Sequence, residues 1–326
     1  MLLCVLVWSG HVVAEEPDFT GFDAWLEKTR ADAIAAGISE ATVDAAFAGL
    51  EPDPRVIGFD RRQPEFTQTF EQYLTARVTE SRIRMAREFL DSEADLLARI
   101  GDHYGVEPQY IVSFWGLESA FGRIQGKYSV IRSVATLAFD PRRTTFFTNQ
   151  LMDALRILDE GHITPEKFVG GWAGAMGQNQ FIPSSFLAYA QDFDGDGRKN
   201  IWSSRADVFA SIAYYLKKNG WKEGAGWGLP ATLPAGFQTA SLMPESTPRG
   251  CRAFRHHTSK RSVADWQSMG VTPASEAAGE HALLVPDEGE LRSYLVRGNF
   301  SVILRYNCAN KYAVSVGLLA DAALGE

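Results

Sequence analysis

The chain has 326 residues, a hydrophobic fraction of 45%, a charged fraction of 22% and a net charge of −8. These values fit a soluble globular protein of one large domain or two to three smaller ones around a shared core. They argue against nucleic acid as a partner, because phosphate binding needs clustered Lys and Arg, and beyond the first fourteen residues no segment is apolar enough to span a bilayer.

Residues 1–14, MLLCVLVWSGHVVA, read as a signal peptide with its front trimmed. A short apolar run is followed by Val12 and Ala14 at the −3 and −1 positions of a cleavage site before Glu15, although the basic n-region is missing. A buried N-terminal segment is the alternative; export is the expectation. Cys4 has no room upstream for a lipoprotein signal. Of the three cysteines, that leaves Cys251 and Cys308, either as one disulfide in an oxidising compartment or as two buried thiols. Neither has the ligand spacing of a zinc site.

Residues 15–100 carry apolar positions at helical spacing and form an N-terminal helical region. Pro52, Pro54 and Pro64 divide it into an early helix pair, a loop and one long helix starting near Phe66. Residues 101–224 form the core, in which helices alternate with glycine-rich loops. Pro108 suits the first turn of a helix that Gly122 closes. Residues 225–298 turn rich in Pro, Gly and Thr, and segments such as ALLVP (282–286) and NFSVILRYN (299–307) read as strands, giving a small β-rich subdomain. Residues 299–326 then supply a strand and a terminal amphipathic helix that return to the core. The class is α+β, mainly α.

Within the Pro108 helix, FWGLESAFG holds one ionisable residue, Glu118, within a turn of Phe114, Trp115 and Phe121. Apolar surroundings disfavour a carboxylate and hold its proton near neutral pH, as a general acid requires. The competing role is a structural carboxylate paired with an arginine such as Arg123. The glycines at 170, 171, 174 and 177 match neither phosphate-binding pattern and instead permit close approach of a ligand or backbone. Gln180 behind them can hydrogen-bond sugar hydroxyl or acetamido groups. A plain glycine-rich connection to a helix starting near Pro183 fits the spacing equally well.

Asp192, Asp194, Asp196 and Gly197 match the first half of an EF-hand loop, with Arg198 offering a carbonyl and Asn200 at position nine. Three carboxylates at alternate positions repel one another without a cation. Ser203 stands where the bidentate Glu belongs, and Asp207 is the expected substitute. The cofactor expectation is a structural Ca²⁺ and no organic group. Tyr73, Tyr215, Tyr306 and Tyr312 suit sugar stacking or a core. Arg142–Arg143 meet either an anionic substrate group or solvent.

Six ordered segments, GLESAFG, ATLAFDPRR, WAGAMGQNQFIPSS, DFDGDGRKNIW, SIAYYLKKNGW and NFSVILRYNCANKYA, resemble the membrane-bound lytic transglycosylase B family, peptidoglycan-cleaving enzymes of the lysozyme superfamily. The resemblance runs from about Phe66 to Val316. It implies a lysozyme-like helical core, Glu118 as sole catalytic acid/base, and calcium ligation by the Asp192 loop. Sugar-subsite roles follow for Tyr73, Gln180, Tyr215, Tyr306 and Asn307, with Met176 and the Arg142–Arg143 pair as further substrate contacts. The expected reaction cleaves the β-1,4 bond between N-acetylmuramic acid and N-acetylglucosamine and closes a 1,6-anhydro ring. A lysozyme-type hydrolase and a non-catalytic glycan-binding protein are the alternatives. The implied partner is the glycan strand, met by a monomer in the periplasm. One departure stands out: Gly171 occupies the place of a serine that orients the catalytic Glu in the family.

Overall fold

A computed structural model describes residues 17–62, 68–286 and 292–325. The leader segment 1–14 and the expected helix start near Phe66 lie outside them. The N-terminal region opens with α1 (Phe22–Ala35) and α2 (Glu40–Phe47), the expected helix pair. Next comes α3 (Pro54–Arg62), placed by proline at its first turn. In place of one long helix the chain then forms α4 (Phe70–Arg77) and α5 (Glu80–Ser92). The break falls at Val78 (ψ 71°), and Thr79 restarts the helix by accepting the Arg82 amide hydrogen at 3.2 Å. Apolar periodicity runs through both helices, and only the capping threonine marks the corner.

The core is built on α6 (Ala94–Tyr104) and α7 (Pro108–Ser119), followed by α8 (Val130–Phe139), α9 (Thr144–Asp159), α10 (Pro183–Tyr189) and α11 (Arg205–Lys218). No residue of α7 is exposed, and Tyr110, Ile111, Phe114 and Trp115 are buried outright. An ordinary surface helix shows polarity on one side; α7 is a central rod against which α5, α6, α11 and the C-terminal helix pack. Two short antiparallel strands, β1 (Tyr128–Ser129) and β2 (Val169–Gly170), pair next to α8.

The β-rich part holds β3 (Gly228–Thr232), β4 (Arg261–Ser262), α12 (Val263–Ser268), β5 (Thr272–Pro273), β6 (Glu280–Leu284) and β7 (Arg292–Val296). The strands form an antiparallel sheet in the order β4-β6-β7-β3-β5. Side chains alternate between its faces. Leu283, Leu295, Leu229 and Trp266 close a small second core, whereas Ala282, Leu284, Tyr294 and Val296 join the main helical core. A sheet covered on both faces has continuous apolar strands, which is why ALLV shows no polar alternation.

The NFSVILRYN segment is not a strand. It forms α13 (Gly298–Tyr306), with Phe300, Val302, Ile303 and Leu304 buried. A short apolar run satisfies either period, and here packing against the core selects the helix. The chain ends in α14 (Asn310–Leu324), the expected terminal helix. It lies against α7, where the buried Ser113 hydroxyl donates to the Val316 carbonyl at 2.7 Å. Cys251 and Cys308 are bonded, tying the β-rich part to the link between α13 and α14.

Candidate active site and acidic loop

Glu118 occupies the last turn of α7, half-buried. Immediately beyond it the backbone turns through Ala120 (φ 50°) and Phe121 (φ 60°), both left-handed although neither is glycine. Such angles are unfavourable for residues with a Cβ and persist only where surrounding structure enforces them. The enforcing contact is the Phe121 ring, which folds back so tightly over Gly116 that a Cβ there would lie 2.6 Å from it. Glu118 is therefore presented by a rigid, strained corner.

The Tyr312 hydroxyl, from the first turn of α14, donates to Glu118 Oε1 at 2.5 Å. Its ring is 4% exposed and packs edge-on against Phe114. Burial, and then the charge of Glu118, hold this phenol well above the ordinary tyrosine range, so it stays a donor at neutral pH. Tyr306 is raised in the same direction by burial and then by Glu118. Its hydroxyl donates to the Asn179 carbonyl at 2.6 Å, and its ring stacks near Phe114, Phe181 and Tyr215. Tyr73, with Lys311 and Arg77 over its ring, stands close enough to Tyr312 to act on its titration.

The glycine-rich loop 170–180 closes the other side. Trp115 Nε1 donates to Gln178 Oε1 at 2.6 Å, and Gln178 Nε2 donates to the Trp202 carbonyl, fixing the loop to α7. Gln180 adopts φ 51° and donates to the carbonyls of Gly177 and Gln125. Beside it, Trp172 meets the exposed Phe59 ring at 6.1 Å, and Phe59 meets Tyr128 at 6.0 Å. Glu118, Tyr73, Tyr306, Tyr312, Tyr215 and the loop bearing Gln180 are thus linked by contacts into one neighbourhood. Asn307 follows Tyr306 directly and is exposed.

Four expected site residues take other parts. Met176 is completely buried, with its amide bonded to the Phe181 carbonyl, so it supports the loop from beneath and presents nothing to a ligand. Arg142 and Arg143 both grip the carboxylate of Asp60, itself 4% exposed, so the anion they meet is internal. Asp207 is fully buried, and each of its oxygens is engaged: Oδ1 accepts the Phe193 amide at 2.8 Å and Oδ2 the Asn200 amide at 2.7 Å. It organises the acidic loop through its backbone and is not positioned as a metal ligand.

The remaining carboxylates of that loop do converge. Asp192, Asp194 and Asp196 offer oxygens within 4.8 Å of one another, all exposed. Asp192 also accepts the amides of Gly195, Asp196 and Gly197, which curls the backbone around the cluster. Arg198 follows, its amide donating to Asp196 at 2.8 Å. Hard oxygen donors on a tight loop fit a hard cation such as Ca²⁺.

At Gly171 an added Cβ would lie 3.6 Å from the Ala175 carbonyl oxygen and 3.7 Å from Gln180 Oε1, ordinary contact distances. At Gly170 it would lie 2.2 Å from Ala175 O, which excludes a side chain. Gly171→Ser is therefore expected to fold normally and to add a hydroxyl beside Gln180. A gain of one net hydrogen bond, about 1 kcal/mol, corresponds to about a fivefold rise in kcat. Turnover of purified sacculi, the substrate that the sequence resemblance implies, measures it, with the melting temperature unchanged as the control.

A family model described as "Transglycosylase SLT domain" matches residues 21–321. The curated "Membrane-bound lytic murein transglycosylase B" of Escherichia coli (strain K12) is 33% identical over 261 residues, 77% of this chain and 66% of that protein, just under two thirds of its length. SltB3 from Pseudomonas aeruginosa, in complex with NAG-NAM-pentapeptide, is 40% identical with a TM-score of 0.84, over 94% of this chain and 80% of that one. The same protein in complex with NAG-anhNAM-pentapeptide gives 0.83 at 40% identity, over 93% and 80%. The Escherichia coli lytic transglycosylase Slt35 in complex with calcium gives 0.74 at 27% identity, over 98% of both chains.

Proposed function

This chain belongs to the transglycosylase SLT domain family, and we propose that it is a lytic transglycosylase acting on peptidoglycan, with Glu118 as the acid and base. The observation that carries the assignment is the pairing of Glu118 with Tyr312, a permanent donor, in a neighbourhood of aromatic rings and amides. Rings stack on sugar faces, and amides match acetamido groups.

Protonated Glu118 donates its proton to the glycosidic oxygen between N-acetylmuramic acid and N-acetylglucosamine, and the C1–O bond breaks. Glycosidases usually employ a second carboxylate at this stage. Here the substrate's own acetamido oxygen stabilises the cationic C1. The muramyl C6 hydroxyl then attacks C1 and gives its proton to Glu118, which is restored without consuming water. The occurrence of SltB3 with an anhydro ligand supports this course. Mass spectrometry of digested sacculi tests it: the anhydro product is lighter by one water than a lysozyme-type product. Digestion yielding only hydrated ends would overturn the lyase reading.

We assign a structural Ca²⁺ to Asp192, Asp194 and Asp196, with the Arg198 carbonyl, supported by the convergence of the three carboxylates and by the calcium complex of Slt35. The ion neutralises the cluster and stiffens the loop that leads into α11. A ligand held only by the native state at a hundredfold its Kd adds about 2.7 kcal/mol. For a chain of this size that is about 4 °C in Tm. Chelation with EDTA is expected to lower Tm by that amount, and added Ca²⁺ to restore it. Export to the periplasm follows from the leader reading and from the Cys251–Cys308 bond, which an oxidising compartment maintains. No described helix is long and apolar enough to cross a membrane.

A further inference from the structure

The two helices that carry the site tyrosines meet at a short link, residues 307–309. Tyr306 ends α13 on one side of it, and Tyr312 lies in the first turn of α14 on the other. Ala309 stands at the N-cap of α14 and has no side-chain oxygen to accept an orphan amide, so no cap fixes the start of this helix. Residues 251–258 fix it instead. Cys308, exposed, is bonded to half-buried Cys251. Two residues on, Asn310 Nδ2 donates to the Ala253 carbonyl at 2.9 Å. That donation turns Oδ1 toward His257, whose Nε2 lies 2.8 Å away and so carries the hydrogen. Burial above all holds His257 below the ordinary histidine range, and its ring, 7% exposed, sits between Phe254 and Phe300. Behind it Thr258 is locked to β6: its amide donates to the Leu283 carbonyl at 3.0 Å, and its hydroxyl accepts the Leu283 amide at 2.9 Å. A chain of bonds thus runs from the sheet, through residues 251–258, to the first turn of α14 and on to Glu118. Tyr306 has a separate anchor, its hydroxyl donating to the Asn179 carbonyl.

We propose that the Cys251–Cys308 bond and the His257–Asn310 hydrogen bond are positioning elements for the cleavage step, holding the first turn of α14 so that the Tyr312 hydroxyl meets Glu118. The inference rests on the glycan-cleaving assignment above and adds a control on the same site. Misplacing a catalytic group by about 1 Å costs up to about 10²-fold in rate. Opening the cystine takes two electrons and two protons from a dithiol, which is itself oxidised to a disulfide, and leaves two thiols. The middle of α14 stays docked on α7 through Ser113 and Val316, so only its first turn loosens. The thiol form is therefore a folded but slow enzyme, and turnover follows the redox poise of its compartment. Because Tyr306 keeps its own anchor, the loss falls on kcat and not on KM.

The test uses the full chain with sacculi as substrate, each protein assayed below its melting transition. The Cys251→Ser/Cys308→Ser variant, and the wild type reduced with dithiothreitol, are expected to lose about tenfold in kcat with KM within about twofold. Maleimide labelling confirms two new thiols in the reduced wild type, and reoxidation restores its kcat. Asn310→Ala keeps the cystine and is expected to lose about fivefold in kcat. The decisive readout is coupling. In a Tyr312→Phe background the same changes lower kcat by less than about twofold, because the brace they serve is already gone. A crosslink that merely stabilised the fold would cost the same in both backgrounds. Should the serine variant fail to fold, the reduced wild type and Asn310→Ala carry the comparison. Equal losses with and without the Tyr312 hydroxyl, a loss confined to KM, or an unchanged kcat once both thiols are free overturns the proposal. Absence of Glu118-dependent cleavage by the oxidised wild type would instead refute the glycan-cleaving reading beneath it.

Discussion

Replacing Glu118 by glutamine is expected to abolish cleavage of sacculi, lowering kcat by about 10³-fold or more, while fold and glycan binding survive. An amide has no proton of carboxylic acidity to deliver to the glycosidic oxygen, and positioned acid–base groups contribute up to about 10⁴-fold. In the proposed mechanism one residue carries both the donation and the later abstraction, so both steps are lost together. Glutamine keeps the shape of the side chain and still accepts from Tyr312, whose donation to Oε1 needs only an oxygen. The Phe121–Gly116 corner that presents residue 118 is untouched. Release of muropeptides measures turnover, and co-sedimentation with sacculi measures binding. A variant with near-normal release would sink the assignment.

The second large effect is expected from Tyr312→Phe. Loss of a hydrogen bond to a charged group costs about 1.5–3 kcal/mol, so kcat should fall about 10- to 100-fold with KM nearly constant. In the proposed mechanism the phenol, bonded to Oε1, fixes the orientation of the Glu118 carboxyl and stabilises the carboxylate left after proton delivery. Phenylalanine retains the ring packing against Phe114, and half-buried Glu118 keeps access to water, so the melting temperature should hold. Full activity in this variant would reduce Tyr312 to a packing residue. A kcat loss that vanishes on a soluble disaccharide would point to strand positioning instead.

The sequence shows α7 plainly, because Pro108 sets its first turn and the apolar run sets its depth. Glu118 stands out as the lone carboxylate there. The alternating aspartates show the acidic loop for the same reason: both signals are local. Asp207 is different. Its distance from the aspartates suits a ligand, but burial turned both oxygens to backbone amides of the loop. Met176 sits in a motif that reads as substrate-facing, and only packing shows it to be fully enclosed. Arg142 and Arg143 carry no hint of Asp60, 82 and 83 positions earlier, since pairing at that range depends on how α3 lies against α8. α13 was hidden by an apolar stretch too short to declare its period. Tyr312 was visible as a stacking tyrosine, but its hold on Glu118 was not, because 194 residues separate the two.

That separation has a consequence for biosynthesis. The acid is translated long before the phenol that braces it, and α14 must leave the ribosome and dock on α7 before the pair exists. A growing or prematurely ended chain thus carries the reactive group without its brace. Under the proposed mechanism full turnover therefore waits for α14 to dock, a delay set by the order of synthesis.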